Sequence, residues 1–232
     1  METSHIETGK FIQTEKNTSY FGLTGVEPER ASRIVGFSWI LMFVLAIPTV
    51  LLVLEKLVIK GDTARSIQNI KENQLLLYIR IASYFIILTL DAIIAVGLYN
   101  ILKFTNRRIA MIMSILRVLF VITTAISLIG LAFLRIDFYS IGVLIGYVFL
   151  IPHLFLVGYL AIRSWYVPKG IGIFMILTAL SYIITIFGVY LLTTSLYDQL
   201  YPIAMVPASL GEITMGIYLI IRAKLIAERI DY

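Results

Sequence analysis

No cysteine occurs among the 232 residues, and that absence excludes disulfides, thiolate zinc sites, iron–sulfur ligation and a catalytic thiol together. Histidine is nearly absent: His5 lies in a polar N-terminal stretch and His153 in an apolar run. There is no HExxH, and no second ligand stands four residues from His153, so a zincin is excluded. There is no GxSxG either, and Ser164 and Ser209 stand beside no base, which leaves a serine hydrolase without a basis. Charge is scarce too. Only 14% of residues are Asp, Glu, Lys or Arg against 59% hydrophobic, too few to coat a water-facing surface. The net charge of +5 sits mainly in short segments between apolar runs, where it orients helices in a bilayer and does not form a nucleic-acid patch. The partners predicted are membrane lipids and a small hydrophobic or ionic ligand, with no nucleic acid, no cofactor and no metal.

What the chain does have is six apolar runs, each close to the roughly 20 residues that cross a bilayer as a helix. They cover residues 34–54, 75–102, 109–134, 141–162, 171–192 and 203–221. The fold class predicted is all-α, a polytopic membrane helix bundle of six transmembrane helices. Residues 1–33 read as a polar cytoplasmic tail, too long and acidic for a signal-peptide n-region, with Glu27-Pro28 suited to open a helix. The Asn17-Thr18-Ser19 sequon in this tail carries no meaning on that side of a membrane. Residues 34–232 read as one transmembrane domain. Lys and Arg concentrate in the tail, the second and fourth connections and the C-terminus, so both termini are expected in the cytoplasm.

Local signals fill in this outline. Gly61-Asp62-Thr63 reads as a turn and helix cap, opening a short interfacial helix in the longest connection; a connector on the headgroups is the plainer reading, a lid over a cavity the other. Trp39 reads as an anchor near the inner end of the first span, Pro48 as a kink, and Pro202 as the close of the last outer turn. Gly142 and Gly146 form a small-xxx-small pair, and Thr178, Ser181, Thr185 and Gly188 recur at helical spacing as a packing face.

Ionisable residues inside apolar spans are the strongest functional clue, because a charge at mid-bilayer must face protein, water or a partner. Four lie at similar depth on different spans: Asp91, Arg117, His153 and Glu212. Arg80, Tyr84, Asp91 and Tyr99 share one stripe of the second span, and Ser114, Arg117 and Thr124 one stripe of the third. Arg117 is expected within salt-bridge reach of Asp91 or Glu212. His153 is expected to face a cavity open to one side, next to the bend that Pro152 introduces by freeing the Val148 carbonyl, with a neighbouring carboxylate favouring its protonated form; the alternative is a packed histidine with both nitrogens satisfied by side chains. Three readings stay open for the cluster: a pocket that binds or transports a small ligand, ion or proton; acid–base or metal-ligating residues of an intramembrane enzyme acting on a lipid or isoprenoid; or an ion-pair network of a structural or assembly subunit that only holds helices together.

From residue 33 onward the chain resembles an uncharacterised prokaryotic integral-membrane family known as domain of unknown function 4386. The resemblance rests on Arg33-Ile34-Val35-Gly36, Gly61-Asp62, Asp91, Asn106, Arg117, His153, Gly158-Tyr159-Leu160, Ser164, Tyr166, Pro168, Gly172, Tyr182 and Gly211-Glu212. The long polar tail departs from the family's pattern. The resemblance implies six or seven helices and a prokaryotic plasma membrane, and it carries no catalytic assignment.

Overall fold

The computed structural model describes residues 26–49, 55–59 and 62–230; the Asn17 sequon, His5, Gly61 and the end of the first predicted span lie outside them. Eight helices are labelled here in chain order. They are α1 (Pro28–Pro48), α2 (Thr63–Glu72), α3 (Gln74–Leu102), α4 (Arg107–Ala132), α5 (Ile136–Arg163), α6 (Lys169–Tyr182), α7 (Thr194–Ile221) and α8 (Ala223–Ile230). A single helical turn at Glu55–Leu57 precedes α2, and α6 runs on through a π turn at Ile183–Phe187 to Leu191. Six of these segments are long and apolar enough to cross a membrane. The protein is a multi-pass helical membrane protein.

Its surface is inverted relative to a water-soluble domain. Phe37, Val44, Phe85, Ile112, Phe133, Val148 and Ile203 all point outward, as hydrocarbon solvent permits. The spanning helices close into a ring in which α1 packs on α3, α3 on α4, α4 on α5, α5 on α6, α6 on α7, and α7 back on α1. Because lipid tails are as apolar as leucine, such contacts depend on close backbone approach at small residues. Two crossings show it directly. A Cβ at Gly36 of α1 would stand 2.5 Å from the Gly216 carbonyl oxygen of α7, and one at Gly158 of α5 would stand 2.6 Å from the Gly172 carbonyl oxygen of α6. The predicted Gly142 and Gly146 pair packs against Ser127 and Thr124 of α4.

At one end of the ring α2 is capped by Asp62, whose carboxylate accepts the Arg65 N–H at 2.9 Å, and Thr63 reaches Asp137 at the start of α5 at 3.3 Å. The α4–α5 turn at this end is closed by the Arg135 N–H on the Gly130 carbonyl at 2.7 Å, with Leu134 at φ 58°, a Schellman ending made without the usual glycine. At the opposite end α8 packs on α1, and the Trp165 indole donates to the Arg229 carbonyl at 2.8 Å.

Three boundaries differ from the sequence reading. First, α1 begins at Pro28, inside the predicted tail, because the proline at N1 continues without a break into the apolar run. Next, α7 begins at Thr194 and passes through Pro202 and Pro207; a proline ends most soluble helices, but in a bundle neighbouring helices stabilise the interrupted turns. Finally, α5 begins at Ile136, ahead of the predicted start at Ile141, and α8 was not foreseen.

Candidate functional site

The four ionisable residues come from α3, α4, α5 and α7, each on the inward stripe of its helix. Arg117 is the hub. Its Nε donates to Asp91 Oδ1 at 2.9 Å and its Nη2 donates to the same oxygen. Its Nη1 donates to Glu212 Oε1 at 3.3 Å and contacts His153 Nε2 at 3.1 Å. The arginine and Asp91 side chains are 1% and 3% exposed, whereas Glu212 keeps 12% of its side chain accessible.

His153 is 0% exposed, with Nδ1 at 2.8 Å from the Met113 carbonyl oxygen and Nε2 on the guanidinium. These partners fix the tautomer. A carbonyl oxygen only accepts and a guanidinium only donates, so the proton sits on Nδ1 and Nε2 is a lone-pair acceptor. The expected ring, open to a cavity and protonated beside a carboxylate, is replaced by a sealed, neutral one. Arg117, lying between the imidazole and both carboxylates, is the reason.

With His153 neutral, the cluster contains one permanent cation and two carboxylates. The guanidinium fills the space between Asp91 and Glu212 that a metal would need, and among the described residues no three His, Asp or Glu side chains are grouped to hold one.

Sequence reasoning missed three members of this layer. Trp39 is 1% exposed, its ring 5.8 Å from the Arg117 guanidinium, and its buried Nε1 makes no close hydrogen bond among the described residues, Glu212 being the carboxylate within its reach; it is not the headgroup anchor its place in α1 suggested. Tyr147 and Tyr182 pack ring to ring, 5.5 Å between centroids, on α5 and α6. The signal available for Trp39 was its spacing from Ser32 and Val35, which puts all three on one buried face of α1.

The family described as a domain of unknown function (DUF4386) matches residues 34–136 and 130–223. This chain belongs to that family. An "Uncharacterized protein" of Archaeoglobus fulgidus is 31% identical over 151 residues, spanning 64% of this chain and 86% of the relative. No solved structure matches.

In this DUF4386 chain the matched segments contain all four cluster residues, and also a second, structural group at the α5–α6 turn. Ser164 Oγ donates to the Ala161 carbonyl at 2.8 Å and accepts the Val167 N–H at 3.1 Å, closing α5. Tyr166 then turns inward, fully buried; its hydroxyl donates to the Ile101 carbonyl at 2.8 Å and meets Thr105 Oγ1 at 2.9 Å, while Tyr218 donates to its carbonyl at 2.6 Å. Burial pushes the Tyr166 phenol up to about 12. Nearby Lys103 is held below the usual lysine range by partial burial and by the Arg107 charge.

Proposed function

We propose that the protein exchanges a proton at Glu212, near the middle of the bilayer, and couples that exchange to the seating of α7 against the rest of the bundle, as a proton-linked carrier or sensor of a small ligand. The observation that carries this reading is the unequal grip of Arg117 on its two carboxylates. Asp91 receives two N–H groups and is sealed, whereas Glu212 receives one at 3.3 Å and stays 12% accessible. Two carboxylates against one guanidinium leave a surplus negative charge, and a bare surplus inside a bilayer is costly. A proton on Glu212 removes it and also removes the ionic part of the link from Arg117 to α7. Pro202 and Pro207 interrupt the α7 backbone ladder on the α2 side of Glu212, and the neighbouring π turn of α6 lies opposite. Both are points where a helix bends at low cost. The archaeal relative supports a prokaryotic plasma membrane, and the excess of Lys and Arg at the α8 end supports cytoplasmic termini with α2 outside.

The experiment combines infrared spectroscopy with labelling, and the cysteine-free chain is a ready background for the latter. A protonated-carboxyl band should appear and disappear with pH in the native protein and be absent from Glu212→Gln. Thiol labelling of Ala208→Cys, one turn from Glu212, should follow the same pH dependence. A second reading, an assembly subunit in which the cluster only ties helices, is favoured by the sealed, fully partnered His153. It would be preferred if neither signal moves with pH. Engagement of both imidazole nitrogens gives the intramembrane-enzyme reading no support.

A further inference from the structure

Arg80 is as deeply buried as Arg117, at 1% exposure, but its surroundings are of another kind. It lies six residues into α3 at the α2 end of the ring. Nη2 donates to the Tyr139 hydroxyl at 3.0 Å, and the guanidinium carbon stands 3.7 Å over the Tyr84 ring. Among the described residues Nε and Nη1 are buried and make no close hydrogen bond, the Tyr84 hydroxyl being the further group within reach of the guanidinium. The groups that bear on it electrostatically are Tyr84 and Tyr139, and neither is an acid at neutral pH. Among the described residues this permanent cation is therefore enclosed without an anion, and two of its donor nitrogens lack a close acceptor.

Native proteins rarely leave such a group unsatisfied, and a buried charge is ordinarily paired with an opposite one. Tyrosine partners cannot supply the charge: a phenol oxygen gives one hydrogen bond, and a ring face only a weak electrostatic attraction. The missing component is an anion. Guanidinium N–H groups match the geometry of an oxyanion, which accepts several charge-assisted bonds at once. Access is from the same end. Leu57 and Ile70, from the Glu55–Leu57 turn and from α2, pack with Ile136 and Tyr139 in one buried cluster, with half-buried Tyr84 against it, and a cleft lined by Thr63 and residues 134–138, Asp137 among them, opens at the start of α5.

We propose that Arg80, with the Tyr139 hydroxyl and the Tyr84 ring, is the receptor of a small oxyanion, a phosphate or phosphate ester, admitted beneath α2. The phosphate is either free or carried on a lipid headgroup. This site stands apart from the proton exchange at Glu212 and does not depend on it.

The test uses the full-length protein in neutral detergent, with thermal unfolding followed at constant ionic strength while gluconate is replaced by inorganic phosphate, and with native mass spectrometry from nanodiscs of phosphatidylglycerol or phosphatidylcholine. The midpoint of the native protein should rise by several degrees on saturation, as for any ligand that binds only the folded state, and Arg80→Gln should abolish the rise. Without phosphate the order should invert, with Arg80→Gln at least as stable as the native chain because it removes an unpaired buried charge. Tyr139→Phe keeps the cation and should weaken the response several-fold, which provides a test if Arg80→Gln does not fold. A rise with inorganic phosphate identifies the free ion. Retention of phosphatidylglycerol, lost in the variants, identifies the headgroup. The proposal is overturned if the native midpoint ignores phosphate and no anionic lipid is retained, or if chloride and phosphate act alike in the native and Arg80→Gln proteins.

Discussion

Arg117 grips a single oxygen of Asp91 with two of its nitrogens, Nε at 2.9 Å and Nη2 alongside it, and so locks α4 to α3 inside the ring. In hydrocarbon neither partner can be satisfied by water. Removing Arg117 alone leaves two carboxylates uncompensated, whereas removing it together with Asp91 leaves only Glu212, the more accessible of the two.

That asymmetry sets the first prediction. Arg117→Leu should destabilise the protein by about 3–5 kcal/mol, and the double change Arg117→Leu with Asp91→Leu by distinctly less. Equilibrium unfolding in mixed detergent micelles measures both, and strictly additive losses would mean that the pair is not coupled.

His153 gives the second. Its partners require one pyrrole-type nitrogen at Nδ1 and one pyridine-type nitrogen at Nε2. Nitrogen NMR of the protein labelled at histidine should show that pair of signals for the buried ring. In Arg117→Leu the Nε2 resonance should move, since its donor is gone. A ring with two protonated nitrogens in the native protein would refute the assignment.

The parts of this site that could be read from the sequence are the side chains whose chemistry is out of place in their surroundings. Asp91, Arg117, His153 and Glu212 interrupt apolar runs, and helical spacing turns each inward, so their meeting was foreseeable. What surrounds His153 was not, because its second partner is the main-chain carbonyl of Met113, and every residue has a carbonyl. Trp39 misled for a related reason: near a span end an indole serves a headgroup interface and a buried cation equally well, and only packing decides. Pro202 misled because the rule that proline ends helices assumes water on the far side. Arg80 was correctly placed on an inward stripe, but its lack of an acid is a property of three dimensions.

Tyr166 yields a pH-dependent prediction outside the spanning helices. Its phenol is raised from an ordinary value near 10 to about 12 by burial. The folded state thus holds its proton over an interval where the unfolded state has lost it. Its contribution to stability is fully present below pH 10 and falls away as pH rises from 10 to 12, by about 2–3 kcal/mol. Tyr166→Phe should lower stability at neutral pH by about 1–2 kcal/mol through the lost hydrogen bonds, and should flatten this alkaline loss. An equally steep loss in the variant would assign it to other groups.

The last prediction turns the two grips of Arg117 into a comparison of isosteric variants. Asp91→Asn and Glu212→Gln each replace a carboxylate by an amide of nearly the same shape, so packing is held constant and charge changes. At Asp91 the amide keeps one oxygen for the two guanidinium bonds but removes, in a sealed site, the negative charge that makes them an ion pair, and puts an NH2 in place of Oδ2. Its expected effect is in the range of about 3–5 kcal/mol for a broken buried pair. At Glu212 the amide oxygen can still accept the single 3.3 Å bond from Nη1, and the amide nitrogen lies on the accessible side of the cluster. The charge lost there is the surplus one, so Glu212→Gln should change stability at neutral pH by less than about 1 kcal/mol, the range for a single exchanged hydrogen bond. It should also remove a proton-linked component from the stability profile that Asp91→Asn retains. Equal, large losses at both positions would show that Arg117 holds its two carboxylates alike, and α7 would then be fixed to the bundle and not poised on a proton.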